Sequence, residues 1–128
     1  MKNLLHAAMR ARKNTYAPYS KFKVGAAIET IDGRIFTGCN IENASYGLAI
    51  CAERVAVFKA VSEGVKKFKR IAIVTGAKKP TPPCGMCRQV LFEFNPNLEI
   101  IIANTNGKVI KTKLSKLFPH AFGPKNLK

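Results

Sequence analysis

Two cysteines in the segment Pro83-Cys84-Gly85-Met86-Cys87 constrain this chain more than any other feature. A Cys-x-x-Cys pair can bind one metal ion from a single turn. A third cysteine, Cys51, lies thirty-three residues before Cys84, in Cys51-Ala52-Glu53-Arg54. A fold that uses all three must bring two distant segments to one point. Three protein ligands leave the fourth position of a tetrahedral zinc ion open for water, which marks a catalytic site and not a structural one. Glu53, two residues past Cys51, is close enough to handle protons on that water. The pair alone also fits a redox motif of thioredoxin type. With Cys39 the chain has four cysteines, so a closed Cys₄ structural site is arithmetically possible as well.

Length and composition narrow the frame. A chain of 128 residues is expected to form one domain, residues 1–128, and a hydrophobic fraction of 47% suits a globular core. No apolar run reads as a signal peptide or approaches a membrane span. The cysteines are therefore expected as free thiols in a reducing, cytoplasmic setting. The formal charge is +15, from 22 basic and 7 acidic residues. The excess is mostly lysine, scattered from Lys2 to Lys128, with no arginine stripe and no basic-aromatic interleaving that would stack bases. A lysine-rich solvated surface accounts for it, and no specific nucleic-acid partner is expected.

Periodicity orders the elements. Leu4, Leu5, Ala8 and Met9 predict an amphipathic helix over residues 2–14, broken by Pro18. Alternation over residues 22–29 predicts a strand, Asp32-Gly33 a hairpin turn, and residues 34–41 its return. A core helix is expected over residues 49–62 and a buried strand over residues 68–75, where Ile71-Ala72-Ile73-Val74 is a continuous apolar run. A Lys- and Pro-rich loop leads to a second core helix, residues 84–94. Strands over 99–103 and 108–112 and a short helix over 114–118 complete one α/β domain.

Both cysteine groups thus fall at predicted helix starts, where free N–H groups and the helix dipole favour thiolate. Zinc with three thiolates carries net −1, which weakens its power to acidify water. Arg54 and Arg88, each directly after a motif, are expected to donate to the sulfurs and offset that charge. Along the second strand Asn40 and Glu42 share one face, so both can point at one ligand, while Cys39 points the other way. A bulge at Gly38 would break this alternation. His6 and His120 have no motif context.

The chain resembles the small, homotetrameric cytidine deaminases over about residues 16–122. The stretches that carry the resemblance are Tyr16-Ala-Pro-Tyr-Ser-Lys-Phe-Lys-Val-Gly-Ala-Ala27, Gly38-Cys-Asn-Ile-Glu-Asn-Ala44, Cys51-Ala-Glu-Arg54, Pro83-Cys-Gly-Met-Cys-Arg-Gln89 and Ala121-Phe-Gly123. The resemblance implies a three-layer α/β/α fold around a mixed five-stranded sheet, with helices on both faces. It implies one Zn²⁺ per subunit on Cys51, Cys84 and Cys87, with Glu53 as proton shuttle. It implies a substrate-binding set as well. In that set Phe22 packs on the pyrimidine, Asn40 and Glu42 hold ribose hydroxyls, and Ala52 contacts the substrate. Ala44, Tyr46 and Phe122 would reach into a neighbouring subunit's pocket. Met86 stands where the family often has a smaller residue. The implied reaction is hydrolysis of cytidine and 2'-deoxycytidine to the uridines with release of ammonia, in pyrimidine salvage.

Three other readings remain. A blasticidin-type nucleoside deaminase is disfavoured by Asn40-Ile41-Glu42-Asn43. A polynucleotide-editing deaminase would usually carry His in place of Cys51 and longer loops. A zinc-stabilised interaction module would use all four cysteines on the metal.

Overall fold

The computed structural model describes residues 2–127. Its centre is a mixed five-stranded sheet in the order β2-β1-β3-β4-β5. The strands are β1 (Val24–Thr30), β2 (Ile35–Cys39), β3 (Phe68–Thr75), β4 (Glu99–Asn104) and β5 (Val109–Lys113). β1 runs antiparallel to β2 and β3, β3 and β4 are parallel, and β5 returns antiparallel to β4. The parallel pair needs a crossover, and α3 (Gly85–Phe94) supplies it.

Helices cover both faces, as expected. On one face α1 (Lys2–Arg12) buries Leu4, Ala7 and Ala8 against Ala27, Ala72, Val74, Ile101 and Ala103. On the other, α2 (Ala52–Ser62) and α3 pack Ala56, Val57, Ala60 and Leu91 against Ala26, Ile28, Ile71, Ile73, Ile100 and Ile102. Even and odd residues of β3 and β4 therefore enter different cores, which is why those strands read as unbroken apolar runs. Among the described residues no helix is long and apolar enough to cross a membrane. The short helix α4 (Leu114–Leu117) closes the α3 side.

Several element ends differ from the sequence reading for local reasons. The first helix stops at Arg12 because Lys13 and Asn14 bond back to Arg10 and Ala11, in tighter i→i+3 turns. The second core helix starts at Ala52 and not at residue 49. Ile50 is still extended and exchanges both backbone hydrogen bonds with Ile41. β1 begins at Val24, since the Phe22 N–H goes to the Ser20 hydroxyl and not to a strand.

The α2 face of the hairpin depends on Gly38. A Cβ there would lie 2.4 Å from the Ala52 carbonyl oxygen and 2.6 Å from the Ala56 nitrogen. Both are helix backbone, so α2 itself would have to move. Gly38→Ala is expected to lose about 2 kcal/mol or more, in the range of overpacked cores. It should also lower activity, because Glu53 rides on the displaced turn. Chemical denaturation and a turnover assay check both parts.

Candidate active site

Three segments meet where β1 starts and β3 ends. The exit of β2 is sewn between two neighbours: Tyr16 bridges Ile41 in parallel and Ile50 bridges it antiparallel. This leads Cys51 straight into α2 as its N-cap residue, while Cys84 is the N-cap of α3. Cys87 follows in the first turn of α3 and is fully buried.

The three sulfurs lie within 4.8 Å of one another. Cys51 Sγ is 3.6 Å from Cys84 Sγ, and Cys84 Sγ is 3.5 Å from Cys87 Sγ. Tetrahedral zinc bonded to thiolates at ~2.3 Å spaces its sulfurs by ~3.8 Å. The donor set and its spacing therefore fit one zinc ion. Cys39 stands apart from this group. The β1–β2 register runs without a bulge from Glu29↔Ile35 to Gly25↔Cys39. Gly38 faces α2, so Cys39 faces the α1 side, as the strand alternation predicts. Cys39→Ala is expected to keep one zinc per chain and full turnover, at roughly 1 kcal/mol of stability. Metal analysis checks it: zinc loss would make Cys39 a ligand.

The thiol proton balance is uneven. The Cys51 thiol is held down at about 5, first by its hydrogen bond with Cys87 and further by Arg54. The Cys87 thiol is pushed up by the same bond and by burial. The sulfurs share protons that a bound cation would displace. Arg54 Nη2 donates to Cys51 Sγ at 3.5 Å, as expected. Arg88 does not take the expected place. Its Nε donates to the Pro83 carbonyl at 2.8 Å and its Nη1 to the Leu117 carbonyl at 2.7 Å. Its role is to fix the backbone before Cys84, not to touch a sulfur.

Glu53 sits in the first turn of α2, only 5% exposed. Burial pushes its carboxyl up to about 7, and the Cys51 charge adds to the rise. A carboxyl that takes and releases protons near neutrality suits acid–base work.

A cavity of about 500 Å³ opens beside this cluster. Cys51, Glu53, Arg54 and Cys84 line it together with Phe22, Asn40, Glu42 and Tyr46. Ala52, Ile73, Thr75, Thr81 and Met86 also line it. Of the expected substrate set, Phe22, Asn40, Glu42, Ala52 and Tyr46 thus share one cavity. Ala44 and Phe122 do not line it. Both are solvent-facing, except that the Phe122 carbonyl accepts from Gln89 Nε2.

Asn40 and Glu42 are held by groups the sequence reading did not name. Asn40 Oδ1 accepts from the Val24 N–H and the Thr15 hydroxyl, and its Nδ2 donates to the Phe22 carbonyl. Glu42 Oε1 accepts from the Tyr19 and Ser20 N–H groups, and Oε2 from the Ser20 hydroxyl. These bonds, the Ser20 hydroxyl first, hold the Glu42 carboxyl below its usual range. By its residue pattern the Tyr16–Ser20 stretch reads as a proline break, and it enters the resemblance with no role for its own residues. Nothing in its spacing tells that its amides would clamp a carboxylate.

Comparison with known proteins agrees with this geometry. Residues 1–103 match the family described as "Cytidine and deoxycytidylate deaminase zinc-binding region". Cytidine deaminase of Sporosarcina psychrophila is 46% identical over 128 residues, covering 99% of this chain and 94% of that protein. Cytidine deaminase of Halalkalibacterium halodurans is 48% identical over 120 residues, covering 93% and 91%. The crystal structure of cytidine deaminase from Burkholderia pseudomallei matches with a TM-score of 0.92 at 50% identity, covering 94% of this chain and 98% of that one. The class is that of α/β zinc enzymes that hydrolyse C–N bonds. Within it, this chain belongs to the cytidine and deoxycytidylate deaminase zinc-binding family.

Proposed function

We propose that the protein hydrolyses cytidine and 2'-deoxycytidine to uridine and 2'-deoxyuridine with release of ammonia. One observation carries the reading: two sulfurs of a three-sulfur cluster, Cys51 and Cys84, and the buried Glu53 share a single cavity with Phe22, Asn40 and Glu42. Cys51, Cys84 and Cys87 would hold the zinc. Zinc, when bound, supplies a Lewis acid that makes water a nucleophile near neutral pH.

The side chains divide the remaining work. Glu53 takes a proton from the attacking water and passes it to N3 of the pyrimidine, then takes the remaining proton from the new C4 hydroxyl and passes it to the amine, which leaves as ammonia as the C4 carbonyl forms. Arg54 offsets the negative charge of the sulfurs. Phe22 packs on the base. Ala52 opens α2, and an N–H in that position has no helical partner, so it is free for a base oxygen.

Hydrogen-bond capacity favours a sugar beside Asn40 and Glu42. One N–H of Asn40 and about one lone pair of Glu42 remain after the bonds already described. A sugar hydroxyl that accepts from Asn40 while another donates to Glu42 uses both. A base without its sugar would leave these groups unpaired. The test is the absorbance change of free cytidine on deamination, with free cytosine as comparison. Turnover of cytidine well above cytosine supports the reading. No turnover of either by the zinc-loaded protein would overturn it.

Assembly belongs to the same proposal. Tyr46, Leu48, Met86 and Phe122 are exposed large apolar side chains, and an apolar surface of this kind favours association. The proposed state is a homotetramer in which Ala44, Tyr46 and Phe122 complete a neighbour's pocket. Light scattering is expected to give four chains per particle, and Phe122→Ala to raise KM. A fully active monomer would refute the shared pockets. The proposed setting is cytoplasmic pyrimidine salvage, one domain per chain.

A further inference from the structure

The segment that delivers Cys84 has almost no framework of its own. It joins β3 to α3 over residues 76–83, and no backbone hydrogen bond among the described residues starts or ends in it. Three of its residues are prolines, Pro80, Pro82 and Pro83, with no N–H to offer. Yet its far end must place a ligand sulfur to within a fraction of an ångström.

Arg88 Nε holds its last carbonyl, at Pro83, and side chains from the strand ends hold the rest. Thr75, the last residue of β3, accepts from the Ala77 N–H at 3.3 Å and shares a hydrogen bond with the Thr81 hydroxyl at 3.2 Å. Asn104, the last residue of β4, donates Nδ2 to the Lys78 carbonyl at 2.8 Å. Its Oδ1 accepts from the N–H groups of Asn106 and Lys108, which ties the β4–β5 turn to the same loop. Thr75 and Asn104 are register partners across the parallel strand pair. They are 0% and 1% exposed, in strands whose other inward residues are apolar. A buried polar side chain costs stability unless it is paired. Here every such bond runs to the loop or the adjacent turn.

We propose that Thr75 and Asn104 are positioning residues for the metal centre. They set the path of residues 76–83 so that Cys84 and Cys87 meet Cys51 at metal-binding spacing. This rests on the reading of the sulfur cluster as a zinc site. Cys51 is fixed separately through Ile41, Ile50 and α2, so only the Cys84 side depends on the loop. A triad arranged in advance avoids ordering the loop at the moment of binding.

The test is zinc affinity of the whole chain, measured without substrate by competition against a chromophoric chelator, with thermal unfolding recorded in parallel. Thr75→Val keeps the shape and removes the hydroxyl, whereas Thr75→Ser keeps the hydroxyl. Asn104→Asp keeps the acceptor for the β4–β5 turn and loses the donor to Lys78. Thr75→Val and Asn104→Asp are each expected to weaken zinc binding about tenfold, with Thr75→Ser within about twofold of wild type, since supporting groups around metal ligands are worth 10–100-fold. Unchanged zinc affinity in Thr75→Val overturns the proposal even if its thermal midpoint falls, because the hydroxyl would then serve packing alone. If Thr75→Val does not fold, Asn104→Asp decides by the same affinity measurement. A wild-type chain that binds no zinc would refute the zinc reading itself, and this proposal with it.

Discussion

Glu53→Gln is expected to keep one zinc per chain and to lose about 10²–10⁴-fold in turnover, the usual worth of a positioned proton-transfer group. The size follows from the site. Glu53 is buried in the first turn of α2 beside the sulfurs, and its carboxyl is poised near neutrality. Glutamine has nearly the same shape and no charge, so packing and the sulfur cluster should survive. It cannot accept the proton of water or return one to the pyrimidine. Turnover and metal content are measured on the same preparation. Substantial turnover by the zinc-loaded variant would remove Glu53 from the proton path.

Cys87→Ala is expected to lose zinc and, with it, essentially all turnover, a larger effect than that of Glu53→Gln. Cys87 is the buried member of the triad, 0% exposed, so no solvent ligand can readily replace its sulfur. Two remaining cysteines do not make a stable zinc site. The change also removes the bond that most strongly holds down the Cys51 thiol, so that thiol should rise. Thiol titration of the metal-free variant reads this separately from activity. The contrast with Cys39→Ala is sharp: two cysteines of one chain, opposite outcomes. Retained zinc in Cys87→Ala would mean that the ion sits elsewhere.

The sulfur cluster was legible because the chemistry of a metal site fixes both residue type and spacing. Cys84 and Cys87 had to share a turn, and Cys51 with Glu53 had to share a helix start. The buried strands were legible too, since a sheet covered on both faces admits only apolar runs such as Ile71–Val74. The start of α2 was not, because Ile50 looks helical by composition and is held extended by Ile41, a residue nine positions away. Arg88 was misread for a related reason. Adjacency to Cys87 suggested a sulfur, but its long side chain found the carbonyls of Pro83 and Leu117. The frame around Asn40 and Glu42 is built from backbone amides of residues 19, 20 and 24 and the hydroxyls of Thr15 and Ser20, and no spacing in the sequence ties these groups to either residue. The same holds for the loop before Cys84, whose anchors Thr75 and Asn104 look like ordinary strand ends.

The most direct measurement is a zinc titration of the metal-free protein, with ammonia release from cytidine followed at each step. A zinc-dependent deaminase site predicts that activity rises linearly and stops at one zinc per chain, with one ammonia formed for each cytidine lost. Activity in the metal-free protein, or zinc bound at one per chain with no ammonia released, would contradict it.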